Sequence, residues 1–436
     1  MRFHEAESYL YSLGNEVEAM KLGLENITAL LAALGDPQKK YKKVQVAGTN
    51  GKGSVCAFLD SICRQADIKT GLYTSPHLVS ITERIKIDGQ DISDKDFARL
   101  VEHVRDTAED LLFEGVLQYR PTFFEHITAV GLLAFAEAGV ELAILETGLG
   151  GRFDAVTAAN ADIAAITQIA LDHQEYLGET IEEIASEKAA IVRADSKVVV
   201  LKQSRAAEQV ISGRCREVGV EPIWAGKNYE IRRDNDILPV LFGTFQTERA
   251  TYDRIDLNGM LGVHQFENAS VAIALAELLQ DEGFAISNEN ICVGLETARH
   301  PGRLEYFDNI LLDGAHNLAG AKALTAYLTE FIDRQITLVF GAMKDKDVVD
   351  ITEILFPLAQ NIVLTKPSNP RAISVEKLAD LLPANFATDN VHLSADVESA
   401  IKTAREIAGN DGLILITGSL YLVGEVKMIL RMFDPI

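Results

Sequence analysis

A glycine-rich segment, GTNGKGS, is the clearest chemical signal in the sequence and spans residues 48–54. It follows a short apolar run, VQVAG, and opens a segment with helical periodicity. Free backbone N–H groups at such a strand-to-helix turn can hold phosphate oxygens, and Lys52 would reach the terminal phosphates. Because Gly53 separates the lysine from Ser54, the common kinase and GTPase pattern does not apply. The segment predicts a nucleotide-binding loop made by Gly48, Thr49, Asn50, Gly51, Lys52, Gly53 and Ser54.

Two polar residues follow apolar runs that we predict to be strands. Glu146 ends the run ELAILE, and His173 lies just beyond DIAAITQI. Both should project from the carboxyl edge of a parallel sheet, beside the phosphate loop, where they could share a metal site. Magnesium prefers hard oxygen ligands, which suits Glu146, Ser54 and Ser75, whereas an imidazole ligand is unusual on chemistry alone. From the residues alone, His173 could equally be structural, and Ser75, which precedes a proline, could belong to an extended turn.

The elements that would position these residues follow an α/β pattern. Apolar runs at TGLYT, ELAILE, DIAAITQI and KVVVL are mostly separated by helix-period segments, which predicts a parallel sheet covered by helices. Residues 228–261 alternate and are rich in turns, which predicts an accessory antiparallel sheet. Pro301 and Gly302 mark a break before alternation resumes at ILLDGA, ITLVFGA, NIVLTK and LILITGS. We expect an α/β protein with an N-terminal P-loop-type domain over residues 1–297 and a smaller, Rossmann-like C-terminal domain over residues 298–436.

Length and composition agree with a two-domain globular protein. The chain has 436 residues, of which 47% are hydrophobic and 24% are charged. Its 41 Lys and Arg residues against 64 Asp and Glu residues give a formal net charge of −23, which repels nucleic acid and anionic membranes. The four cysteines form no Cys-x-x-Cys pair, and the N-terminus has no apolar signal core. We therefore expect a cytoplasmic protein without a nucleic-acid or membrane partner.

The variant loop VAGTNGKGSV resembles the nucleotide loop of the Mur ligase superfamily, and specifically its folylpolyglutamate synthase and dihydrofolate synthase branch. The resemblance runs from about residue 20 to residue 425 and departs from the family at AVTAAN after Asp154, where a form like ATN is usual. It implies an ATP-dependent ligase that adds glutamate to dihydropteroate, to reduced folates or to both. The ordered segments that carry it are LGLENITALL, YTSPHL, PTFFEHIT, ETGLGGRFDA, LDHQEYLG, SEKAAIV, HQFENA, PGRLEY, DGAHN and TGSLYLVG.

The resemblance implies ATP and two magnesium ions as cofactors. By similarity, the metal ligands would be Ser54, Ser75, Glu146 and His173. The ATP contacts would be the phosphate loop together with Asn268, Arg303 and Asp313. Lys188 in SEKAAIV would be carbamylated, which replaces a cation by a carboxylate near magnesium. Without the family context, Lys188 would simply be a solvated lysine on a helix.

The resemblance also places the two acids that would be joined. Segments similar to the family's dihydropteroate contacts comprise Leu22, Gly23, Leu24, Pro121, Thr122, Phe123, Phe124, Phe153, Asp154 and Ala155. Phe123 or Phe124 could stack on a pterin ring, although aromatic residues on a helix are more often part of the core. Glutamate would be held in the C-terminal domain by His316 and Ser419. The residues implied in catalysis are Lys52, Lys188 and His316, and the family suggests a monomer.

Amide synthesis explains why such a site needs ATP. A carboxylate resists attack by an amine, and transfer of the γ-phosphoryl group would convert it into an acyl phosphate. With ATP bound between the domains, closure at a hinge near residues 299–302 would exclude water from that intermediate. The sequence leaves open whether the acceptor is dihydropteroate, a reduced folate or both.

Two alternatives to this function remain. Another Mur-type amino-acid ligase is the nearest, but cell-wall Mur ligases usually carry a whole substrate domain before the loop, and only 47 residues precede Gly48 here. A non-catalytic nucleotide switch would need the phosphate loop alone. The acid and the histidine at predicted strand ends, together with a second α/β domain, argue against a switch.

Overall fold

The computed structural model describes residues 1–14, 23–234, 240–344, 348–382, 386 and 388–433. Its largest sheet has eight strands in the order β4-β3-β2-β5-β1-β6-β7-β8. They are β1 (Lys42–Ala47), β2 (Thr70–Tyr73), β3 (Ile85–Ile87), β4 (Gln90–Asp91), β5 (Leu142–Glu146), β6 (Ile163–Ile166), β7 (Lys197–Leu201) and β8 (Pro222–Ala225). Six of these strands are parallel, which confirms the predicted sheet.

The antiparallel edge of this sheet was not predicted from the sequence. Strand β3 runs antiparallel to β2, and β4 runs antiparallel to β3. The two edge strands have three and two residues and are joined by Asp88 and Gly89, both at positive φ. Strands this short carry too little alternation to be recognised, so only the turn residues could have signalled the hairpin.

Helices cover both faces of the sheet. They are α1 (Phe3–Ser12), α2 (Glu25–Ala33), α3 (Lys52–Gln65), α4 (Asp94–Phe113), α5 (Phe123–Ala138), α6 (Gln174–Leu177), α7 (Ile181–Ala189), α8 (Arg205–Val218), α9 (His264–Asp281) and α10 (Asn288–Thr297). One apolar core lies under α3, α9 and α10, and another lies under α1, α2, α4 and α5. Strand β5 is buried along its whole length, as a parallel strand between two helical layers must be.

A three-stranded antiparallel sheet forms the predicted accessory element. Its strands are β9 (Tyr229–Asp234), β10 (Val240–Gln246) and β11 (Thr251–Asp256), in the order β11-β10-β9. The ring of Phe245 stacks on Phe266 of α9 with 6.1 Å between centroids. Glu277, also on α9, accepts hydrogen bonds from the hydroxyl groups of Thr247 and Tyr252. The accessory sheet is therefore anchored to α9 by both apolar and polar contacts.

The remaining elements form a six-stranded sheet in the order β12-β13-β17-β14-β15-β16, with helices on both faces. The strands are β12 (Glu305–Phe307), β13 (Ile310–Leu312), β14 (Ile336–Phe340), β15 (Asn361–Leu364), β16 (Val391–Leu393) and β17 (Leu413–Thr417). The helices are α11 (Leu318–Phe331), α12 (Val348–Leu355), α13 (Val375–Ala379), α14 (Val397–Ala408) and α15 (Leu420–Phe433). Only β12 is antiparallel to its neighbour, so the α/β fold class is confirmed for this part as well.

The domain boundary predicted at residues 297 and 298 falls between the end of α10 and the start of β12. Leu78, from the loop after β2, nevertheless packs against the apolar core under α15. Within the described ranges, every helix is too short or too polar to cross a bilayer.

Candidate functional site

The backbone of the phosphate loop lies so close to neighbouring side chains that two of its positions require glycine. Helix α3 begins at Lys52, and Gly51 precedes it at φ 88°. A Cβ atom on Gly51 would lie 2.3 Å from Oδ1 of Asn268, and one on Gly48 would lie 1.8 Å from Oγ1 of Thr167. The hydroxyl of Thr167 donates to the backbone oxygen of Asn50 at 2.7 Å. The loop thus lies between the end of β6 and α9, with the first turn of α3 open toward the cavity.

Lys52 folds back over this loop. Its Nζ atom donates to the backbone oxygens of Gly48 at 3.1 Å and Thr49 at 3.2 Å. The ammonium group therefore lies above the residues whose N–H groups would hold phosphate oxygens. A helix N-terminus and a lysine together provide the positive field that a polyphosphate needs.

Glu146 and Ser75 meet beside the loop. Oε2 of Glu146 accepts the backbone N–H of Ser75 at 3.1 Å, and a Cβ atom on Gly53 would lie 3.5 Å from Oε1. Burial raises the pKa of the Glu146 carboxyl, and the nearby Lys52 ammonium opposes that rise. Among the described residues, no side-chain cation forms a hydrogen bond with Glu146, and such a buried carboxylate is suited to bind a hard metal ion.

The donor set around Glu146 fits magnesium. Ser54 is buried in the first turn of α3, and its Oγ atom lies 3.3 Å from Nδ1 of His300. The described part of the chain contains no group of three or more His, Cys, Asp or Glu side chains that could hold a metal ion. The residues present would instead offer one carboxylate and serine hydroxyls, and nucleotide phosphates would complete the coordination.

His173 lies on the other side of the loop, next to an acid that the sequence reasoning missed. His173 precedes α6 at φ 51°, and its Nε2 atom lies 3.8 Å from Oδ1 of Asp172. Asp172 also accepts a hydrogen bond from Nδ2 of Asn317 at 3.0 Å. Asp172 lies just beyond the DIAAITQI run, as His173 does. This position was therefore the signal that could have predicted Asp172 from the sequence.

Lys188 is buried against the phosphate loop and is not a solvated lysine. Its side chain is 4% exposed, and Nζ donates to the backbone oxygen of Gly48 at 2.8 Å. Burial, reinforced by the charge of Lys52, lowers the pKa of Lys188 to about 7, while Asp172 and Asp154 oppose that shift. The family motif thus lies where a modified lysine could reach the nucleotide.

Asp313 and Arg303 lie next to the first two strands of the C-terminal sheet. The two carboxylate oxygens of Asp313 accept the backbone N–H groups of Leu304 at 3.0 Å and Ala315 at 2.9 Å. A Cβ atom on Gly314 would lie 3.0 Å from a guanidinium nitrogen of Arg303. Burial raises the pKa of Asp313, and the Arg303 charge opposes it. Asp313 therefore fixes the turn against which Arg303 packs.

His300 and Asn268 complete the nucleotide side of the cavity. A Cβ atom on Gly53 would lie 2.6 Å from Cε1 of His300, so the segment between α10 and β12 touches the phosphate loop. Nδ2 of Asn268 donates to Oε1 of Gln265 at 2.9 Å. Asn268 was predicted from the sequence, whereas His300 was not, because a histidine before Pro-Gly-Arg gives no signal of a contact almost 250 residues away.

The C-terminal wall of the cavity contains His316 and Ser419. Nδ1 of His316 lies 2.8 Å from the backbone oxygen of Gly314, and its Nε2 atom lies 3.9 Å from Oδ2 of Asp172. Ser419 is buried, and its Oγ atom accepts the backbone N–H of Tyr421. Arg371, also missed, donates from Nη2 to the Tyr421 hydroxyl at 2.9 Å and lines the same wall.

The structure separates the two phenylalanines that could face a pterin ring. Phe123 is 2% exposed, with the Tyr11 ring stacked at 5.7 Å and the Arg84 guanidinium group 5.3 Å from its centroid. Phe124 instead lines the cavity beside Gly148. Of the two rings, Phe124 is therefore the one that a ligand in this cavity can touch, because Phe123 is buried and outside the cavity lining.

Asp154 also lies on the acid side of the cavity. Its oxygens accept the backbone N–H groups of Leu149 at 2.9 Å and Val156 at 3.0 Å. Burial raises the pKa of the Asp154 carboxyl to about 6 despite those hydrogen bonds. The AVTAAN departure forms a short 3₁₀ helix, Ala155–Ala159, that Asp154 caps.

Most of the residues predicted from the sequence line one cavity of about 290 Å³. Three of the described ones do not contribute to that lining. Leu22 lies outside the described residues, Leu24 packs on the core under α1, α2, α4 and α5, Pro121 is buried, and Phe123 is enclosed. The lining residues are Gly23, Gly48, Thr49, Asn50, Gly51, Lys52, Gly53, Ser54, Ser75, Thr122, Phe124, Glu146, Phe153, Asp154, Ala155, His173, Lys188, Asn268, Arg303, Asp313, His316 and Ser419.

Comparisons with known proteins match this arrangement. The Mur ligase middle domain family model matches residues 46–276, and the Mur ligase, glutamate ligase domain model matches residues 302–420. The dihydrofolate synthase/folylpolyglutamate synthase of Bacillus subtilis is 35% identical, over 98% of this chain and 99% of that protein. The chain belongs to the folylpolyglutamate synthase and dihydrofolate synthase family of Mur ligases. The predicted resemblance is confirmed.

Solved structures of this family superpose over nearly the whole chain. Folylpolyglutamate synthase of Mycobacterium tuberculosis complexed with ADP has a TM-score of 0.89 and 31% identity, covering 98% of both chains. FolC of Escherichia coli in complex with DHPP and ADP has a TM-score of 0.86 and 28% identity, covering 99% of this chain and 98% of that chain. As a member of this family, the chain is an ATP-dependent ligase that forms carbon–nitrogen bonds, and the switch alternative is not favoured.

Proposed function

We propose that this ligase joins the amine of glutamate to the carboxylate of dihydropteroate and also to the glutamyl carboxylate of reduced folates. The observation that supports this proposal is a single cavity bounded by three walls. Lys52 marks the phosphate wall, Phe124 marks the aromatic wall, and Ser419 marks the C-terminal wall. A ligase for ATP, a pterin acid and an amino acid needs such a junction. The Bacillus subtilis relative, whose name gives both activities, supports the dual specificity.

Positive groups at the phosphate wall suit the first half-reaction. Transfer of the γ-phosphoryl group to the acid spreads negative charge over the transferred oxygens. Lys52 and Arg303 both line that wall and can neutralise the charge without a covalent protein nucleophile. Magnesium, when bound, would add Lewis-acid stabilisation of the phosphates. Glu146, Ser54 and Ser75 are the residues we assign to hold it, and we assign His173 to a second ion.

Lys188 could supply a further oxygen ligand on the same wall. A lysine with a pKa of about 7 has a neutral amine fraction that can react with carbon dioxide, whereas an exposed lysine stays protonated. The resulting carbamate would be an anion next to Gly48. We propose this modification because it would turn a buried cation beside Lys52 into a compensating negative charge.

The acid wall suits a flat, conjugated ring. Phe124 and Phe153 line the cavity on that side, and Phe153 is 44% exposed. Stacking on one aromatic ring and edge contacts to another would orient a pterin without a net charge. We assign Thr122, Asp154 and Ala155 to the same subsite. The DHPP bound in the Escherichia coli relative is consistent with a pterin site in this fold.

The C-terminal wall would hold glutamate so that its amine faces the acyl carbon. His316 and Ser419 lie on that wall. The wall comes from the part of the chain matched by the glutamate ligase domain model. We therefore divide the protein at residues 297 and 298, with ATP and the acid on the first part and glutamate on the second. We also propose a cytoplasmic monomer.

ADP release tests the proposed function. The reaction would contain ATP, magnesium and glutamate, with dihydropteroate, tetrahydrofolate or no acceptor. The proposal predicts ADP formation with either acceptor, and negligible formation when glutamate or the acceptor is omitted. Activity with tetrahydrofolate alone would refute the dihydropteroate assignment. ADP formation that needs neither acid would refute the ligase.

A further inference from the structure

Asn317 joins three parts of the molecule through one side-chain amide. Its Oδ1 atom accepts the backbone N–H of Gly320 at 2.8 Å, which caps the N-terminus of α11. Its Nδ2 atom donates to Oδ1 of Asn50 and to Oδ2 of Asp172, each at 3.0 Å. Asn50 belongs to the phosphate loop, and Asp172 follows β6. One residue of the C-terminal part therefore binds two loops of the N-terminal part.

The chemistry of the partners determines which way this amide points. A backbone N–H, such as that of Gly320, can only donate a hydrogen bond, and an amide oxygen can only accept one. The oxygen of Asn317 must therefore face the helix, and its nitrogen must face the N-terminal part. Both amide hydrogens then have acceptors. Asn317 is 7% exposed, and hydrogen bonds shielded from water are the ones that fix geometry.

The location of this bridge links two substrates. Asn50, Asp172 and Asn317 all line the cavity, and Asn317 directly follows His316 on the wall assigned to glutamate. Another polar link between the two parts, from Arg233 on β9 to Glu330 on α11, is exposed on both sides. Exposed ion pairs contribute little to holding two bodies together. The buried Asn317 bridge is better placed to control how α11 meets the phosphate loop.

We propose that Asn317 is a positioning residue that ties closure of the C-terminal part to the phosphate loop, so that glutamate meets the acyl phosphate in a site closed to water. The inference rests on the ligase function proposed above. Loss of the bridge admits water, whose oxygen bonds to the acyl carbon while the bond from that carbon to the phosphate oxygen breaks. The products are the original carboxylate, inorganic phosphate and a proton. ATP is then consumed without amide formation.

Two substitutions separate the bridge from the helix cap. Asn317→Ser keeps a hydroxyl oxygen that can cap α11 but is too short to reach Asn50 and Asp172. Asn317→Ala loses both the cap and the bridge. The matched control is Asp396→Ala, which removes the cap of α14, where Oδ1 of Asp396 accepts the N–H of Ser399 at 2.8 Å. Asp396 is exposed and remote from the cavity lining.

The measurement is the amount of ADP formed per amide formed, with dihydropteroate and saturating glutamate, together with the melting temperature. We expect one ADP per amide for the wild type and for Asp396→Ala, with a lower melting temperature for the latter. Asn317→Ser should melt near the wild type but form at least about threefold more ADP per amide. An unchanged ratio in Asn317→Ser would overturn the inference while the ligase function stands. A wild type that forms no amide would overturn the ligase function itself.

Discussion

The Nζ atom of Lys188 lies 2.8 Å from the backbone oxygen of Gly48, so a residue of α7 touches the first residue of the phosphate loop. The contact is buried, and the charge that affects the pKa of Lys188 most is that of another cation, Lys52. A buried lysine beside a second cation is unfavourable when protonated. That electrostatic conflict is the physical reason to expect either a neutral amine or a carbamate at this position.

Removal of the Lys188 side chain should abolish most of the ligase activity. We expect Lys188→Ala to lose at least about 100-fold in kcat, because the oxygen ligand that a carbamate provides is absent. Added acetate or another short carboxylate should restore part of the activity by occupying the space. Lys322→Ala, at an exposed site on α11, is the control and should behave as the wild type. Full activity of Lys188→Ala without acetate would contradict the carbamate assignment.

The same lysine should affect the pH dependence of stability. Its pKa is about 7 in the folded protein against the ordinary value of 10.5, so between these values the unfolded state binds more protons. Raising the pH therefore favours folding, and this contribution is lost as the pH falls toward 7. In CO2-free buffer without nucleotide, the free energy of unfolding should rise by about 2 kcal/mol more for the wild type than for Lys188→Met from pH 7 to pH 9. The measurement is denaturant titration of both proteins. Parallel pH profiles of the wild type and Lys188→Met would show that Lys188 keeps its proton in the folded state.

The two adjacent phenylalanines should have separable roles. Phe124→Leu should raise KM for dihydropteroate by up to about tenfold, because one stacking surface of the cavity is lost. Its KM values for ATP and glutamate should stay unchanged. Phe123→Leu should mainly lower the melting temperature, because that ring is buried and contacts Tyr11 and Arg84. Steady-state kinetics with all three substrates checks the prediction, and a larger KM effect from Phe123→Leu would contradict it.

A glycine on α15 should set the spacing of the two parts of the protein. A Cβ atom on Gly424 would lie 2.0 Å from the backbone oxygen of Leu78. Because this oxygen is a backbone atom, a change of side-chain rotamer cannot relieve the clash. Gly424→Ala should therefore displace α15 and lower kcat by at least about tenfold, although Gly424 is outside the cavity lining. The control is Gly213→Ala on α8, where the added methyl group meets open space and helix propensity improves. Equal activity of the two variants would show that the Leu78 contact does not control the site.

The sequence alone predicted those parts of the site that depend on one strand and the turn that follows it. The phosphate loop directly follows β1, Glu146 ends β5, and His173 lies in the segment after β6. Parallel strands bring their carboxyl ends to one edge of a sheet. Lys188 could be found only through the family motif, because a lysine on a helix gives no signal of burial. Its burial depends on α7 packing against the loop, which is a tertiary contact.

The unpredicted residues share a different origin. Asn317 reaches Asn50 across 267 residues, and the position of His300 depends on how the segment after α10 crosses α3. Neither contact is encoded in the periodicity of a single element. Phe123 and Phe124 could not be distinguished for a similar reason, because the stacking of Tyr11 from α1 decides which ring is enclosed.

The transfer of an oxygen atom from the acid to phosphate tests the central claim most directly. Dihydropteroate labelled with oxygen-18 in its carboxylate would be incubated with ATP, magnesium and glutamate, and the released phosphate would be examined by mass spectrometry. Formation of an acyl phosphate followed by attack of glutamate predicts one labelled oxygen in each phosphate and a product enlarged by one glutamyl residue. Unlabelled phosphate accompanied by amide would contradict the acyl phosphate, and unlabelled phosphate without amide would contradict the ligase function.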